Sequence, residues 1–202
     1  MEWIEVCNVL GTATPASPLT LSSIDKPGVY AWWDPKGALA RFWPTGFPQV
    51  DPAKPLYVGI ARTTLAERAG KMHLEKTRIS TIRRSLVALL VDDLLVLPEI
   101  VVDPRRRTKF SLAPAAEQLL TNWMITHLQT TWVLHPTPED VEKDIIKKIA
   151  PPLNYAHATK GPYAKPLQAH RDQLLTRVAP YQPSSLSINT HALNRAGNHA
   201  VL

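Results

Sequence analysis

The segment PLYVGIARTTLAERAGKMHL, Pro55 to Leu74, changes its hydrophobic period once, and that change restricts the chain to folds that mix strand and helix. Pro55–Ile60 is a short apolar run containing Tyr57 and Val58, the composition of a strand. Thr64-Leu65-Ala66-Glu67 then reads as a capping box, in which Thr64 and Glu67 satisfy each other's end of a helix over 65–74. On an α-helical wheel Leu65, Ala69 and Met72 share the apolar face. Glu67 and Lys71 stand at i and i+4 on the solvated side, and Arg68 lies beside the apolar stripe, facing inward.

The flanking sequence extends the pattern. Gly28–Trp33 (GVYAWW) is dense in β-branched and aromatic residues, Asp34–Gly37 supplies a turn, and Ala38–Trp43 is expected to return as the hairpin partner. Thr77–Leu90 has Ile79, Ile82, Leu86 and Leu89 or Leu90 at helical spacing, with Arg78, Arg83 and Arg84 making a basic side. Leu94–Val102 is interrupted by Pro98 and reads as an edge strand or extended segment. A basic loop (103–109), a helix (113–128), a strand (130–134) and a helix with Thr137 as cap and Pro138 in its first turn complete the order. The expected architecture is α+β: a small, mainly antiparallel three-stranded sheet flanked by helices. Residues 1–26 form a lead-in, 27–155 the domain, and 156–202 an extension with one helix over 166–177 and then a tail.

Composition narrows the class. The 202 residues are 45% hydrophobic and 20% charged, which is globular rather than disordered composition. The net charge of +6 favours polyanions such as nucleic acid or an acidic membrane surface, although solubility alone also accounts for it. Cys7 is the sole cysteine, so an internal disulfide and a thiolate-rich zinc site are both excluded. No signal-peptide pattern and no apolar run of membrane-spanning length is present, and a cytoplasmic location is expected. Most tryptophans are assigned to the core, while Trp43, between the second and third expected strands, is a candidate for stacking on a base.

One residue breaks the pattern of the helix after Thr137. Val141, Ile145, Ile146 and Ile149 form its apolar stripe, and Glu142 stands three, four and seven positions before the last three of them, which turns its carboxylate toward the protein body. An unpaired buried carboxylate costs on the order of several kcal/mol, so Glu142 needs a cation, either an arginine such as Arg68 or a metal.

Taken together these pieces resemble the GIY-YIG nucleases. Gly28-Val29-Tyr30 matches the first half-motif and Tyr57-Val58-Gly59 the second; Arg68 follows eleven positions after Tyr57, and His73 stands where many members carry histidine. Glu142 resembles the family's metal-binding glutamate, and Pro151-Pro152-Leu153-Asn154 places an asparagine twelve positions further on. The resemblance runs from about Pro27 to Asn154. It departs from the compact members in the 26 residues that separate the two tyrosines, and in Ile60, which stands where some members have lysine.

What the resemblance implies is a metal-dependent endonuclease cutting DNA, with RNA left open. Tyr57 would act as general base or water-positioner if a cation such as Arg68 lowers its pKa, with Tyr30 beside it. Arg68 would offer its planar fork of donors to the scissile phosphate. Glu142 would ligate Mg²⁺, or Mn²⁺ in its place. His73 would share proton transfer with Tyr57 or contact phosphate, the alternative being an ordinary helix histidine. Gly28, Gly59 and Asn154 would be structural. Arg78, Arg83 and Arg84 on one helix, with Arg105, Arg106, Arg107 and Lys109 in one loop, would bind flanking phosphates. The competing readings are a binding module on the same scaffold without turnover, and a basic protein-interaction domain whose half-motifs are coincidental. Oligomeric state and substrate structure are not readable.

Overall fold

Alternation along β1 (Gly28–Trp33) divides the molecule into two layers: Val29 and Ala31 point to one face of the sheet, Tyr30 and Trp32 to the other, and all four are buried. The computed structural model describes residues 1–103, 105, 109–155, 157–158 and 161–178. In the main sheet β1 is central, pairing antiparallel with β2 (Tyr57–Ala61) on one side and with the strand Gln129–Leu134 on the other. A separate two-stranded ribbon joins β3 (Ile100–Val102) to β4 (Phe110–Leu112), so Gln129–Leu134 is β5. The architecture is thus α+β around a three-stranded antiparallel sheet.

The third strand is not the expected one. Ala38–Trp43 forms no hairpin with β1; it folds into a turn and a 3-10 helix, Ala40–Phe42. The Asp34 carboxylate accepts hydrogen bonds from Ala38 N–H at 2.7 Å and Leu39 N–H at 2.8 Å, which curls the chain away from the sheet, and both edges of β1 are occupied by β2 and β5. In Leu94–Val102 only the last three residues are strand, because Pro98 lies in a 3-10 turn, Leu97–Glu99.

Helices cover both faces. The Val29 face is closed by α1 (Trp3–Thr12), through Val6 and Leu10, a helix formed from residues to which the sequence assigned no element. The helix α5 (Glu139–Ile149) closes it further through Val141, Ile145 and Ile146. Pro138, rather than Thr137, occupies the N-cap of α5, and no side chain caps it. The Tyr30 face packs against α2 (residues 66–75), α3 (Thr81–Leu90) and α4 (Pro114–His127). Helix α2 is π-wound over Ala66–Met72 and ends as α-helix over His73–Glu75. The last helix, α6 (Ala164–Val178), packs on α3. Among the described residues no helix is long and apolar enough to cross a membrane.

Because β2 is an outer strand, its outward backbone groups need partners. Asn154 supplies both: its Oδ1 accepts from Val58 N–H at 2.8 Å and its Nδ2 donates to Val58 O at 2.7 Å. Leu153 N–H also bonds Leu56 O, so residues 153–154 run beside β2 as a substitute strand. Asn154 therefore fixes the strand that carries Tyr57.

Candidate active site

The two half-motif glycines are explained by close approach. Tyr30 and Gly59 are cross-strand partners, and the Tyr30 ring lies across Gly59, where a Cβ would fall 2.4 Å from the phenol oxygen. At Gly28 a Cβ would fall 2.4 Å from the carbonyl oxygen of Val133 on β5. These contacts hold Tyr30 against β2 and β1 against β5.

Around the outer strand β2, three elements deliver side chains to one cleft of about 360 Å³. Tyr30 and Tyr57 come from the sheet, Arg68 from α2 and Glu142 from α5, with Arg62 and Glu67 also in the lining. Glu142 and Arg68 are each half-buried and, among the described residues, neither is in an ion pair. The Arg68 guanidinium donates to the Met72 sulfur at 3.7 Å and also acts on the Tyr30 phenol by hydrogen bonding and by charge. An acid and a guanidinium thus face one space without neutralising each other.

Two residues of the cleft escaped the sequence reading. Arg62 follows β2 directly and carries a cation beside the position where Ile60 replaces a lysine. Glu67 is exposed and pairs with Lys71 at 3.9 Å, as the i and i+4 spacing predicts, and the π-wound segment also brings it to the cleft lining. The half of the capping box that forms is Glu67 N–H to Thr64 Oγ1, at 3.1 Å.

Electrostatics correct the expectation for Tyr57. Burial raises its pKa to about 12, and the Arg68 charge, which acts the other way, does not overcome burial. Tyr30 is raised well above the usual phenol value, by burial first and by the Tyr57 charge second. Both phenols are protonated at neutral pH. Tyr57 keeps 7% of its surface exposed while Tyr30 keeps none, so Tyr57 is the phenol that meets solvent.

His73 is neither a partner of Tyr57 by hydrogen bond nor available to phosphate. It is fully buried, with Nε2 2.5 Å from the Tyr30 oxygen and Nδ1 2.6 Å from Ser80 Oγ, and it does not line the cleft. Ser80 also accepts the Arg83 N–H at 3.2 Å as the N-cap of α3. A chain Tyr30–His73–Ser80 thereby ties the tyrosine to the start of α3. Burial first, then the charges of Arg68, Arg83 and Arg84, push the His73 pKa well below its ordinary value, so the imidazole is neutral in the folded protein.

That shift sets a pH dependence. In the unfolded chain the imidazole titrates near ~6.5, whereas the folded state resists protonation, so the stability present above ~pH 6.5 is lost as pH falls, by about 1.4 kcal/mol per pH unit. Chemical denaturation between pH 7.5 and 5 should show this acid limb in the wild type and a shallower one in His73→Gln. Parallel profiles for the two proteins would contradict a neutral buried His73.

The basic groups divide. Arg83, expected to bind DNA, is fully buried and ion-paired to Glu117 at 2.6 Å, so it is structural. Arg78 is exposed but paired to Asp103 at 2.8 Å, and Arg105 donates its backbone N–H to the same carboxylate. Arg84 and Lys109 line a separate pocket. Arg106 and Arg107 lie outside the described residues. Trp43 stacks on Phe47, with ring centroids 4.8 Å apart, which occupies one of its faces.

A cleft that presents a guanidinium, an acid and two protonated phenols beside one another is suited to phosphate-directed chemistry. Residues 28–173 match the GIY-YIG catalytic domain. The chain belongs to the GIY-YIG family, whose activity is of the nuclease, phosphodiester-hydrolysing kind and whose substrates are nucleic acids. No curated protein and no solved structure matches it.

Among the described residues no group of three or more His, Cys, Asp or Glu side chains is placed to cage a metal ion. The Glu142 carboxylate, lining the cleft, is a hard oxygen donor of the kind that would suit a divalent cation.

Proposed function

We propose that the protein is a divalent-metal-dependent endonuclease that hydrolyses phosphodiester bonds in DNA, acting in the cytoplasm. The observation that carries the reading is the meeting of Tyr30, Tyr57, Arg68 and Glu142 in one cleft, with Arg68 and Glu142 in no ion pair among the described residues. Glu142 holds Mg²⁺, or Mn²⁺ in its place, and the bound ion supplies charge stabilisation at the phosphoryl oxygens. Arg68 presents two parallel N–H donors to the same phosphate and stabilises the charge that spreads there as the bond breaks. Tyr57, protonated at rest, orients the attacking water by hydrogen bonding rather than by removing its proton outright. Tyr30, held by His73 and seated on Gly59, fixes the wall against which Tyr57 packs.

The purified protein should nick or linearise plasmid DNA with Mg²⁺ or Mn²⁺ and should cease to do so in chelator. RNA of the same sequence, cut at a much lower rate, separates the two polymers. Tight, salt-sensitive binding with no cleavage under any divalent ion would make the chain a binding module instead.

A further inference from the structure

Arg171 on α6 is a buried cation with the outlying charges of Tyr155, Asp172 and Tyr57 acting in its favour and no closer partner among the described residues. It keeps 7% of its surface exposed, and it makes no hydrogen bond or ion pair with any described residue. It lines a pocket of about 220 Å³ together with Arg84, Lys109, Phe110, Tyr155 and Gln168, and no carboxylate is in that lining. The Arg84 guanidinium donates to the carbonyl of Arg78 at 2.7 Å, to the carbonyl of Thr77 at 3.3 Å and to Thr81 Oγ1 at 3.3 Å, none of them charged. Its Nε is buried with no hydrogen-bond partner among the described residues. The nearest acid on the same helix, Asp172, accepts from Gln168 Nε2 at 2.7 Å and forms no ion pair with Arg171.

A buried Arg171 beside half-buried Arg84 and Lys109, with no carboxylate among the described residues that line their pocket, is costly for the folded chain, in contrast to Arg83, whose charge Glu117 balances. Burial, followed by repulsion from Arg84, lowers the Arg171 pKa to about 10. The arrangement is complete when an anion with several acceptor oxygens enters. The pocket also lies near the cleft, since the charges of Arg84 and Arg171 both act on the Tyr57 phenol and Arg84 feels Arg68.

We propose that Arg84, Arg171 and Lys109 bind a phosphate group of the nucleic-acid strand that enters the cleft, one that flanks the phosphate at the cut. The proposal rests on the nuclease reading for the identity of the strand, while the anion site rests on the pocket alone. It makes α6 part of the substrate surface.

Arg171→Met tests it, because methionine fills similar volume without the buried charge and should leave the melting temperature equal or raised. Inorganic phosphate and pyrophosphate should raise the melting temperature of the wild type and leave that of Arg171→Met unmoved. In chelator, to prevent turnover, the variant should bind a DNA duplex about tenfold more weakly, with the slope of log affinity against log salt shallower by about one. Lys109→Met should give the same changes in smaller degree and serves if Arg171→Met does not fold. Equal stabilisation of wild type and variants by pyrophosphate, with equal salt slopes, would overturn the proposal. Lost pyrophosphate stabilisation with an unchanged duplex slope would overturn the strand and leave a site for free phosphates. A shallower slope in a protein that never cuts would remove the nuclease reading and keep the pocket.

Discussion

Glu142→Gln should lower cleavage about a thousandfold or more, close to 4 kcal/mol of lost transition-state stabilisation, while duplex binding stays unchanged or tightens slightly. The substitution keeps the shape of the side chain and removes its charge, and with it the hard oxygen donor that a divalent ion requires. Binding is spared because affinity comes from cations on phosphate, and removing a negative charge from the cleft weakens repulsion of the strand. Stability separates this role from an ion pair. Glu142 is half-buried and unpaired among the described residues, so neutralising it should leave the melting temperature level or raise it. A carboxylate needed to balance Arg68 would give the opposite result, a destabilised protein. Plasmid cleavage, duplex binding in chelator and thermal unfolding read the three quantities, and a variant cutting within a few-fold of wild type would remove Glu142 from the site.

Glu142 was legible because a charged residue stood at the spacing of an apolar stripe. The same rule was available for Arg83 and Arg171. Arg83 precedes Leu86, Val87 and Leu90 by three, four and seven positions, and Arg171 follows Leu167 by four and precedes Leu174 and Val178 by three and seven; all six apolar residues are buried. Arg83 was read instead with Arg78 and Arg84 as one basic face, since counting charges along a helix does not reveal which of them points inward. The failure at Ala38–Trp43 has a local cause of another kind. It depended on the Ala38 and Leu39 N–H groups that donate to the Asp34 carboxylate, while π winding, which an α wheel cannot express, brings the exposed Glu67 to the cleft as well. The three strands of the main sheet were readable, since each is a short apolar run, whereas β4 fell between an expected loop and an expected helix. Their pairing required partners distant in sequence: Asn154 on Val58, 96 positions away, and His73 on Tyr30, 43 away.

The buried pair behind the site carries the largest expected stability effect. Arg83 donates to the Glu117 carboxylate at 2.6 Å and its backbone carbonyl at 2.9 Å, to Thr77 Oγ1 and Thr121 Oγ1 at 3.1 Å each, and to the carbonyl of Leu74. Glu117 in turn accepts from the Thr77 hydroxyl at 2.6 Å and the Thr77 N–H at 3.0 Å. The pair therefore joins α3 and α4 to the segment between Leu74 and Ser80, which carries the serine beneath His73. Glu117→Ala strands a fully buried guanidinium and should cost about 3–5 kcal/mol, which for a protein of this size lowers the melting temperature by on the order of 10 °C. Arg83→Met with Glu117→Leu removes both charges and should recover much of that loss, because desolvation of the two ions is no longer demanded. Neither change should alter the salt slope of DNA binding, since Arg83 touches no solvent. Cleavage should fall in Glu117→Ala beyond what unfolding explains, as Ser80 loosens and Tyr30 loses the fixed histidine that holds it over Gly59. Full activity in a Glu117→Ala protein measured well below its melting temperature would show that the network supports the fold and leaves the tyrosine's position to the sheet alone.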